Sequence, residues 1–253
     1  MKQNKTEQNR RNHSKHYFRK EVDMEQIKKV YRHEKKYTIC WNEFQVINGK
    51  LKHLLKRDPH CPEYGYEVKS LYFDNPYDYA LGQKVEGTDL RHKFRLRVYN
   101  NNFDLLKLEK KSKNNVMTDK ESVYITSEEA KRITKGDFEF LREREDGFHQ
   151  NFYYKLKHGK YTPKVIVKYN RIAYMYPVGD VRITFDSRIK KSNQVEKFFN
   201  TDNSYMDVYG SDQVIMEVKF DHVLPTFIRS VIQSPNIMAS ASSKYVSSRF
   251  VSG

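Results

Sequence analysis

Four cationic side chains, Arg91, Lys93, Arg95 and Arg97, stand two residues apart in one segment of the chain. An extended strand turns alternate side chains to the same face, so a strand here would place all four charges on one surface. Like charges packed in this way repel each other and need a counter-charge. The spacing therefore predicts a site for a polyanion that is held inside the fold by cationic side chains.

Charged residues keep the same two-residue spacing in other segments of the chain. These segments contain Arg32, Glu34 and Lys36; Glu109 and Lys111; Tyr169 and Arg171; Arg182, Thr184, Asp186 and Arg188; and Glu217 and Lys219. One alternating strand usually forms a solvated sheet face. Several such strands together predict a sheet with one apolar face and one face that carries charges of both signs.

An excess of cations on such a face suits a phosphate chain. Buried Lys and Arg are costly unless they are paired, and phosphate oxygens would pair them. The few carboxylates would suit Mg²⁺ or Mn²⁺, because both metals prefer oxygen ligands and commonly share coordination with substrate phosphates. The alternative is that the positive charge only keeps a basic surface soluble.

The periodicity predicts an α+β fold with a mainly antiparallel sheet of about eight strands, closed into a barrel with surrounding helices. Strands are predicted at residues 32–39, 68–73, 90–99, 103–111, 121–125, 164–174, 181–186 and 213–220. Helices are predicted at residues 42–56, 77–85 and 224–233, and from Ser127 as a helix N-cap, with a hairpin turn at Asn100–Asn102.

The chain has 253 residues and a formal net charge of +15, which favours an anionic partner. Residues 1–22 are basic and predict a flexible tail, and residues 23–253 predict a single domain. The two cysteines, Cys40 and Cys61, belong to no CxxC motif, and no apolar run is long enough for a membrane span. We therefore expect a soluble cytoplasmic protein, with a membrane protein or an anionic membrane surface as a further candidate partner.

Several other kinds of site are not indicated by the sequence. It contains no GxxxxGK[ST] or GxGxxG loop, no nucleophile elbow and no spaced His/Cys zinc set. It also contains no RNP, KH or zinc-finger signature, so we expect no specific binding of nucleic acid. Phosphate binding would therefore have to come from side chains.

Eight short segments occur in an order that is typical of one family. They are Glu34–Tyr37, Ser70–Asn75, Glu86–Gly87 with Arg95–Tyr99, Leu108–Ser112, Tyr169–Tyr174, Val181–Asp186, Met216–Phe220 and Ser243–Tyr245. Through this ordered set, from about Tyr31 to Tyr245, the chain resembles the VTC domain. That domain is the catalytic domain of eukaryotic polyphosphate polymerase and of its bacterial relatives, and it belongs to the triphosphate tunnel metalloenzymes.

The resemblance implies an antiparallel barrel that forms a tunnel, in which the ATP γ-phosphoryl group is transferred to a growing polyphosphate chain with Mn²⁺ or Mg²⁺. It assigns binding of the triphosphate or polyphosphate to Lys36, Arg95, Arg97, Lys111, Arg171, Arg182 and Lys244. It assigns catalysis to Arg95, Arg97, Lys111, Arg171 and Glu217. Glu217 matches the metal-binding glutamate, and the further metal candidates are Glu109, Glu34 and Asp186. The assignment of Lys244 rests on the resemblance alone.

Two other functions remain open from the sequence. One is hydrolysis of a triphosphate, as in other tunnel enzymes, which tend to begin with an ExExK motif; this chain has only Glu34 in the matching stretch, His33–Lys36. The other is a non-catalytic module that binds polyphosphate or another polyanion, which the basic tail and the tyrosine content permit. The products formed from ATP would distinguish the three hypotheses.

Overall fold

The computed structural model of the protein describes residues 33–114, 117–233, 239–240 and 242–251. The predicted flexible tail at residues 1–22 and the predicted start of the domain at residue 23 lie outside these ranges, as does Arg32. Within them, strands of one sheet alternate with helices, as expected for an α+β fold.

The described residues form ten strands: β1 (His33–Cys40), β2 (Lys56–Arg57), β3 (Tyr66–Asp74), β4 (Leu90–Tyr99), β5 (Lys107–Asn114), β6 (Met117–Tyr124), β7 (Thr162–Tyr176), β8 (Val181–Ser192), β9 (Met206–Asp207) and β10 (Gln213–Phe220). Their α-helices are α1 (Trp41–Leu54), α2 (Tyr79–Val85), α3 (Ser127–Thr134), α4 (Gly147–Lys157), α5 (Thr226–Ile232) and α6 (Lys244–Phe250). None of these helices combines the length and the apolar character needed to cross a membrane.

All strand pairs in the described sheet are antiparallel, which confirms the predicted sheet type. The main path runs β1-β10-β8-β7-β3-β4-β5-β6, while β2 pairs with β7 and β9 with β8. The predicted closed barrel is not found, because no pairing joins β1 to β6 within the described residues. The outer edge of β1 is occupied instead, since Tyr37 pairs with Ala239 and the Lys36 carbonyl accepts a hydrogen bond from Ser240.

The sheet is nevertheless strongly curled. In the strand order, β5 lies six places from β1, which would be about 29 Å in a flat sheet with strands about 4.8 Å apart. The Lys111 ammonium on β5 nevertheless lies 3.2 Å from the Glu34 carboxylate on β1. Two side chains cannot span a flat sheet of that width, so the face that carries them must be concave.

Helices cover the convex face of the sheet, which is apolar. Phe44 and Leu51 of α1 and Ile228 of α5 pack over β1, β8 and β10. Ile133 of α3 and Phe152 of α4 pack over β3, β4 and β5. Each large apolar side chain contributes about 1.5–3 kcal/mol when it is fully buried. This burial holds the apolar face outward under the helices and leaves the charged face on the inside of the curl.

Part of the concave face is apolar and is covered by α6. Tyr245 of α6 is 1% exposed and packs against Tyr72, with ring centroids 5.1 Å apart. Its hydroxyl donates a hydrogen bond of 2.6 Å to the buried Asp74 carboxylate at the end of β3. The same carboxylate accepts hydrogen bonds from the N–H groups of Ala80 and Leu81 in α2. Asp74 therefore ties β3 to both helices.

Several local predictions need correction. Residues 103–105 form a short 3₁₀ helix, so β5 begins at Lys107 and not at residue 103. The predicted turn before it is confirmed, with positive φ angles of 49° at Asn100 and 54° at Asn101. The N-cap of α3 is Thr126 rather than Ser127, because the Thr126 hydroxyl accepts from the Glu129 N–H and the Glu129 side chain accepts from the Thr126 N–H.

We expect Asp74→Ala to lower the free energy of unfolding by about 3 kcal/mol, because buried N–H groups and the Tyr245 hydroxyl would lose their acceptor. Urea unfolding followed by circular dichroism would measure the change. Asp104→Ala is the matched control at an exposed aspartate, and it should stay within about 0.5 kcal/mol of the parent. Equal stabilities of the two variants would contradict this role of Asp74.

Candidate active site

Strand register brings most of the predicted charges to the concave face. Arg95 lies opposite Tyr72 on β3 and opposite Glu109 on β5. In the other half of the sheet, Arg171 lies opposite Asp186, and Lys36 lies opposite Glu217. The alternation that predicted a shared charged face is therefore confirmed for these strands.

Glu109 is the centre of the first group of charges. It is 1% exposed, and its Oε2 accepts a hydrogen bond of 2.7 Å from the Arg95 Nε. The Arg97 guanidinium lies 3.6 Å from the same oxygen, and the Lys120 ammonium lies 2.7 Å from Oε1. Burial opposes ionisation of Glu109, but Arg95, Arg97 and Lys120 outweigh it and lower its pKa. Glu109 therefore carries a negative charge that holds three cations together.

Asp186 is the centre of the second group. It is fully buried, and Arg171 donates two hydrogen bonds of 2.7 Å to its two oxygens. The Lys244 ammonium of α6 lies 2.6 Å from Oδ2. Burial again opposes ionisation, but Arg171 and Lys244 lower the pKa of Asp186. The structure thus brings Lys244, which was assigned by resemblance alone, next to Arg171.

The third group joins the two ends of the curled sheet. Glu34 lies 2.8 Å from the Lys36 ammonium and 3.2 Å from that of Lys111. The Lys219 ammonium lies 2.9 Å from Glu217 and 3.9 Å from Glu34. Burial and the neighbouring Glu217 oppose ionisation of Glu34, but the three lysines lower its pKa to about 2. Two ionised carboxylates therefore lie side by side among lysines.

Hydroxyl groups complete the coordination of the arginines. The Tyr72 hydroxyl accepts from Arg95 at 3.2 Å, and the Ser70 hydroxyl accepts from Arg97 at 3.2 Å. The Tyr169 hydroxyl accepts from Arg97 at 3.3 Å. These residues and Lys120 were absent from the predicted site, although each lies in phase with a predicted charge through the strand register. Tyr169 already stands in phase with Arg171 on one strand. For Ser70, Tyr72 and Lys120, knowledge of which strands are neighbours would have been needed.

Arg182 lies opposite Lys219 in the register of β8 and β10, but a carboxylate outside the three groups binds it, and Arg188 does not share their face. The Arg182 guanidinium donates to the Asp58 carboxylate at 2.9 and 3.1 Å, so its phosphate-binding role stays a prediction. Arg188 is exposed and has a positive φ of 51°, next to a register shift between β7 and β8. This β-bulge breaks the alternation that predicted Arg188 in phase with Asp186.

The four candidate carboxylates are not equally suited to bind a divalent metal. In the described ranges, no three His, Cys, Asp or Glu side chains form a metal-binding group. Both oxygens of Asp186 and both oxygens of Glu109 already face cations within 2.7 Å. Glu34 and Glu217 are neighbouring, partly accessible and ionised, which suits Mg²⁺ or Mn²⁺ because these ions need only one or two carboxylates when phosphates supply further oxygens.

This arrangement is suited to a chain of phosphates. Arginine forks can bind phosphate oxygens in pairs, whereas lysines act as point charges. Binding and charge stabilisation are the chemistry that these cationic side chains can supply.

A comparison with protein families decides what kind of domain holds this face. The VTC domain matches residues 31–251. The chain belongs to the VTC family. VTC domains are part of the triphosphate tunnel superfamily, whose members are typically metal-dependent enzymes that handle triphosphates. No curated protein matches this VTC domain.

Solved structures of low identity are similar to the VTC domain over most of its length. A putative adenylate cyclase from Bacillus halodurans has 12% identity and a TM-score of 0.45, with 80% of this chain and 87% of that chain covered. A putative adenylate cyclase from Vibrio parahaemolyticus has 11% identity and a TM-score of 0.41, with 80% and 84% covered. The Mimivirus capping enzyme triphosphatase has 10% identity and a TM-score of 0.33, with 81% and 90% covered.

We expect Glu109→Gln to lower the free energy of unfolding by about 3 kcal/mol in phosphate-free buffer, because buried arginines would lose their counter-charge. Tripolyphosphate should recover more stability in this variant than in the parent, since it can replace the lost charge. Thermal unfolding with and without tripolyphosphate would measure both effects.

Glu121→Gln is the matched control for this experiment. Glu121 lies on the same β5–β6 ladder, where it pairs with Lys110, and its side chain is 40% exposed. An exposed pair contributes about 0–1 kcal/mol, so this variant should remain close to the parent. If the two variants lose the same stability, Glu109 does not have the proposed counter-charge role.

Proposed function

We propose that the protein is a polyphosphate polymerase that transfers the γ-phosphoryl group of ATP to the end of a polyphosphate chain. The observation that carries this proposal is the cation-rich concave face of a VTC domain, in which arginines and lysines from separate strands converge. ATP and polyphosphate are then the substrates, and ADP and the lengthened chain are the products. A cytoplasmic location and a membrane partner stay predictions from the sequence.

The reaction requires no nucleophile from the protein. A terminal oxygen of the polyphosphate chain forms the new bond to the γ-phosphorus, while the bond to the oxygen that bridges the β- and γ-phosphates breaks. ADP leaves with the electron pair of that bond. Phosphoryl transfer of this kind depends mainly on positioning and on stabilisation of charge. The protein therefore needs cations in fixed places more than it needs an acid or a base.

Arg95, Arg97 and Arg171 are the proposed ligands of the triphosphate, together with Lys36, Lys111 and Lys244. The buried carboxylates Glu109 and Asp186 hold the guanidinium groups in place before the substrate arrives. Such preorganised charges act strongly where water is excluded, and they need not reorganise during the reaction. Arg182 is a proposed outer ligand, since its guanidinium already binds Asp58.

Glu217 and Glu34 are the proposed holders of Mg²⁺ or Mn²⁺. A divalent ion held by these carboxylates would neutralise charge on the triphosphate. Glu109 and Asp186, which were also candidates, are better explained as counter-charges, because their side chains are at most 1% exposed. The side chains of Glu34 and Glu217 are 24% and 13% exposed and can be reached by an ion.

The same pair of carboxylates makes triphosphate hydrolysis the second candidate function. Neighbouring carboxylates such as Glu34 and Glu217 suit a metal-dependent hydrolase as well as a polymerase. The products separate the two functions, since a hydrolase releases orthophosphate and a polymerase forms long-chain phosphate. A protein that binds polyphosphate but does not consume ATP would be a binding module.

We expect the purified protein to form long-chain polyphosphate from ATP and Mn²⁺, as measured by gel electrophoresis and by ADP release. Lys36→Gln and Lys111→Gln should each lower the rate at least tenfold, because each removes a proposed phosphate ligand that is partly exposed and not essential for packing. Lys168→Gln is the control, since Lys168 lies outside the concave face beside Glu67. Orthophosphate without polymer would overturn the proposal in favour of hydrolysis.

Glu217→Gln should raise the Mn²⁺ concentration needed for half-maximal activity at least tenfold, because one proposed metal ligand is lost. Binding of tripolyphosphate without metal should be kept or improved, since the variant also loses a negative charge. Calorimetric titration with tripolyphosphate and with Mn²⁺ would separate the two effects. A variant with unchanged dependence on Mn²⁺ would remove Glu217 from the metal site.

A further inference from the structure

Four cations near one end of the concave face have no ion pair with any residue that the structure describes. We name this set the basic end, and it consists of Lys84, Arg91, Lys93 and Lys113. The other concave-face groups differ, because in each of them a carboxylate, Glu109, Asp186 or Glu34, contacts the cations. At the basic end, the cations lie without such a carboxylate among the described residues.

The strand register places these cations directly against each other. Lys93 lies opposite Lys111, and Arg91 lies opposite Lys113, on the paired strands β4 and β5. Lys111 lies opposite Lys120 on β6 in turn. Like charges directly opposite each other destabilise a sheet. Among the residues that the structure describes, no carboxylate forms an ion pair with Lys93 in this unfavourable row, as expected of a site that receives a charge from outside.

Lys93 has surroundings that are unfavourable for a positive charge. Its ammonium lies 5.7 Å from the centroid of the Tyr72 ring, the ring that also lies beneath the Arg95 guanidinium. Burial and the charges of Lys111 and Arg95 hold the pKa of Lys93 well below its usual range. The geometry shows the same repulsion independently, since the facing residue in the register is a lysine.

Lys84 adds a cation from a helix to this row of strand residues. It lies on α2, whose residues pack against the beginning of β4. Burial and the charges of Arg91, Lys36 and Lys113 lower the pKa of Lys84. The basic end is therefore formed by two strands and a helix, and Lys84 lies outside the segments through which the chain resembles its family.

We propose that the basic end binds phosphate groups of a polyphosphate chain beyond the triphosphate held at Arg95, Arg97 and Arg171. This inference rests on the proposed function and specifies how the protein distinguishes a long chain from a short one. Lys93 precedes Arg95 by two residues on the same face, so their Cα atoms are about 6.7 Å apart along the strand. A linear phosphate chain can therefore continue from one set of cations to the next.

Polyphosphate fits the basic end better than nucleic acid does. Binding of single-stranded nucleic acid normally uses aromatic rings on which bases stack. The aromatic ring beside Lys93 is Tyr72, which is 3% exposed and is covered by Tyr245. The ring beside Lys93 therefore has no open face on which a base could stack, and a polyanion without bases does not need one.

The test compares tripolyphosphate with long-chain polyphosphate, at one salt concentration and without metal, using calorimetric titration. In the Lys84→Gln/Lys93→Gln double variant, affinity for the long chain should fall at least tenfold, while affinity for tripolyphosphate should change less than twofold. The double variant should be at least as stable as the parent without ligand, because it loses like-charge repulsion. An equal loss for both ligands, or no loss for either, would overturn the inference.

Lys168→Gln/Lys190→Gln is the matched control, because it removes two partly exposed lysines on the outside of the sheet. An equal loss of long-chain affinity in this control would show a non-specific effect of net charge and would also overturn the inference. A parent protein that binds the long chain but not tripolyphosphate would contradict the proposed function. The basic end would still be a polyanion site if only the basic-end variant lost long-chain binding.

Discussion

The pairing of buried cations with a few buried carboxylates is the interaction on which the concave face depends. Glu109 and Asp186 are at most 1% exposed, and five cations lie around them. Removing such ions from water costs several kcal/mol per ion, so the pairs persist only because geometry and hydrogen bonds are favourable. The curled sheet supplies that geometry, while the helices on the convex face supply the apolar burial that holds the curl.

Charge balance on this face also explains how it can accept a ligand. The arginines are held by carboxylates and hydroxyls at 2.7 to 3.3 Å, so their positions are set before any phosphate arrives. The basic end lacks such carboxylates among the described residues and retains its repulsion. A long phosphate chain would therefore meet one region in which carboxylates already hold the cations in place. It would also meet a second region in which the described residues supply no carboxylate.

Much of this arrangement could be predicted from the sequence, because strand alternation is a local property. The two-residue spacing of Arg95 with Arg97, and of Glu109 with Lys111, selected strands that the structure brings together. The spacing failed at Arg188, where a β-bulge changes the face. The helix-start signal placed the N-cap at Ser127, but the hydroxyl one residue earlier, on Thr126, forms the cap. The closed barrel was wrong for the described residues, since Ala239 occupies the edge of β1.

By itself, the sequence determined which face of each strand is charged and which is apolar, since side chains alternate with a period of two residues. It also carried the ordered segments that are typical of VTC domains. Only the tertiary structure decided which charges are partners, because the pairs Lys111–Glu34 and Lys244–Asp186 join residues far apart in the chain. Curvature and helix placement determine those distances. For the same reason, only the structure separates Arg95 and Arg97, which contact the Glu109 carboxylate, from Lys93, although all three lie in one alternating run.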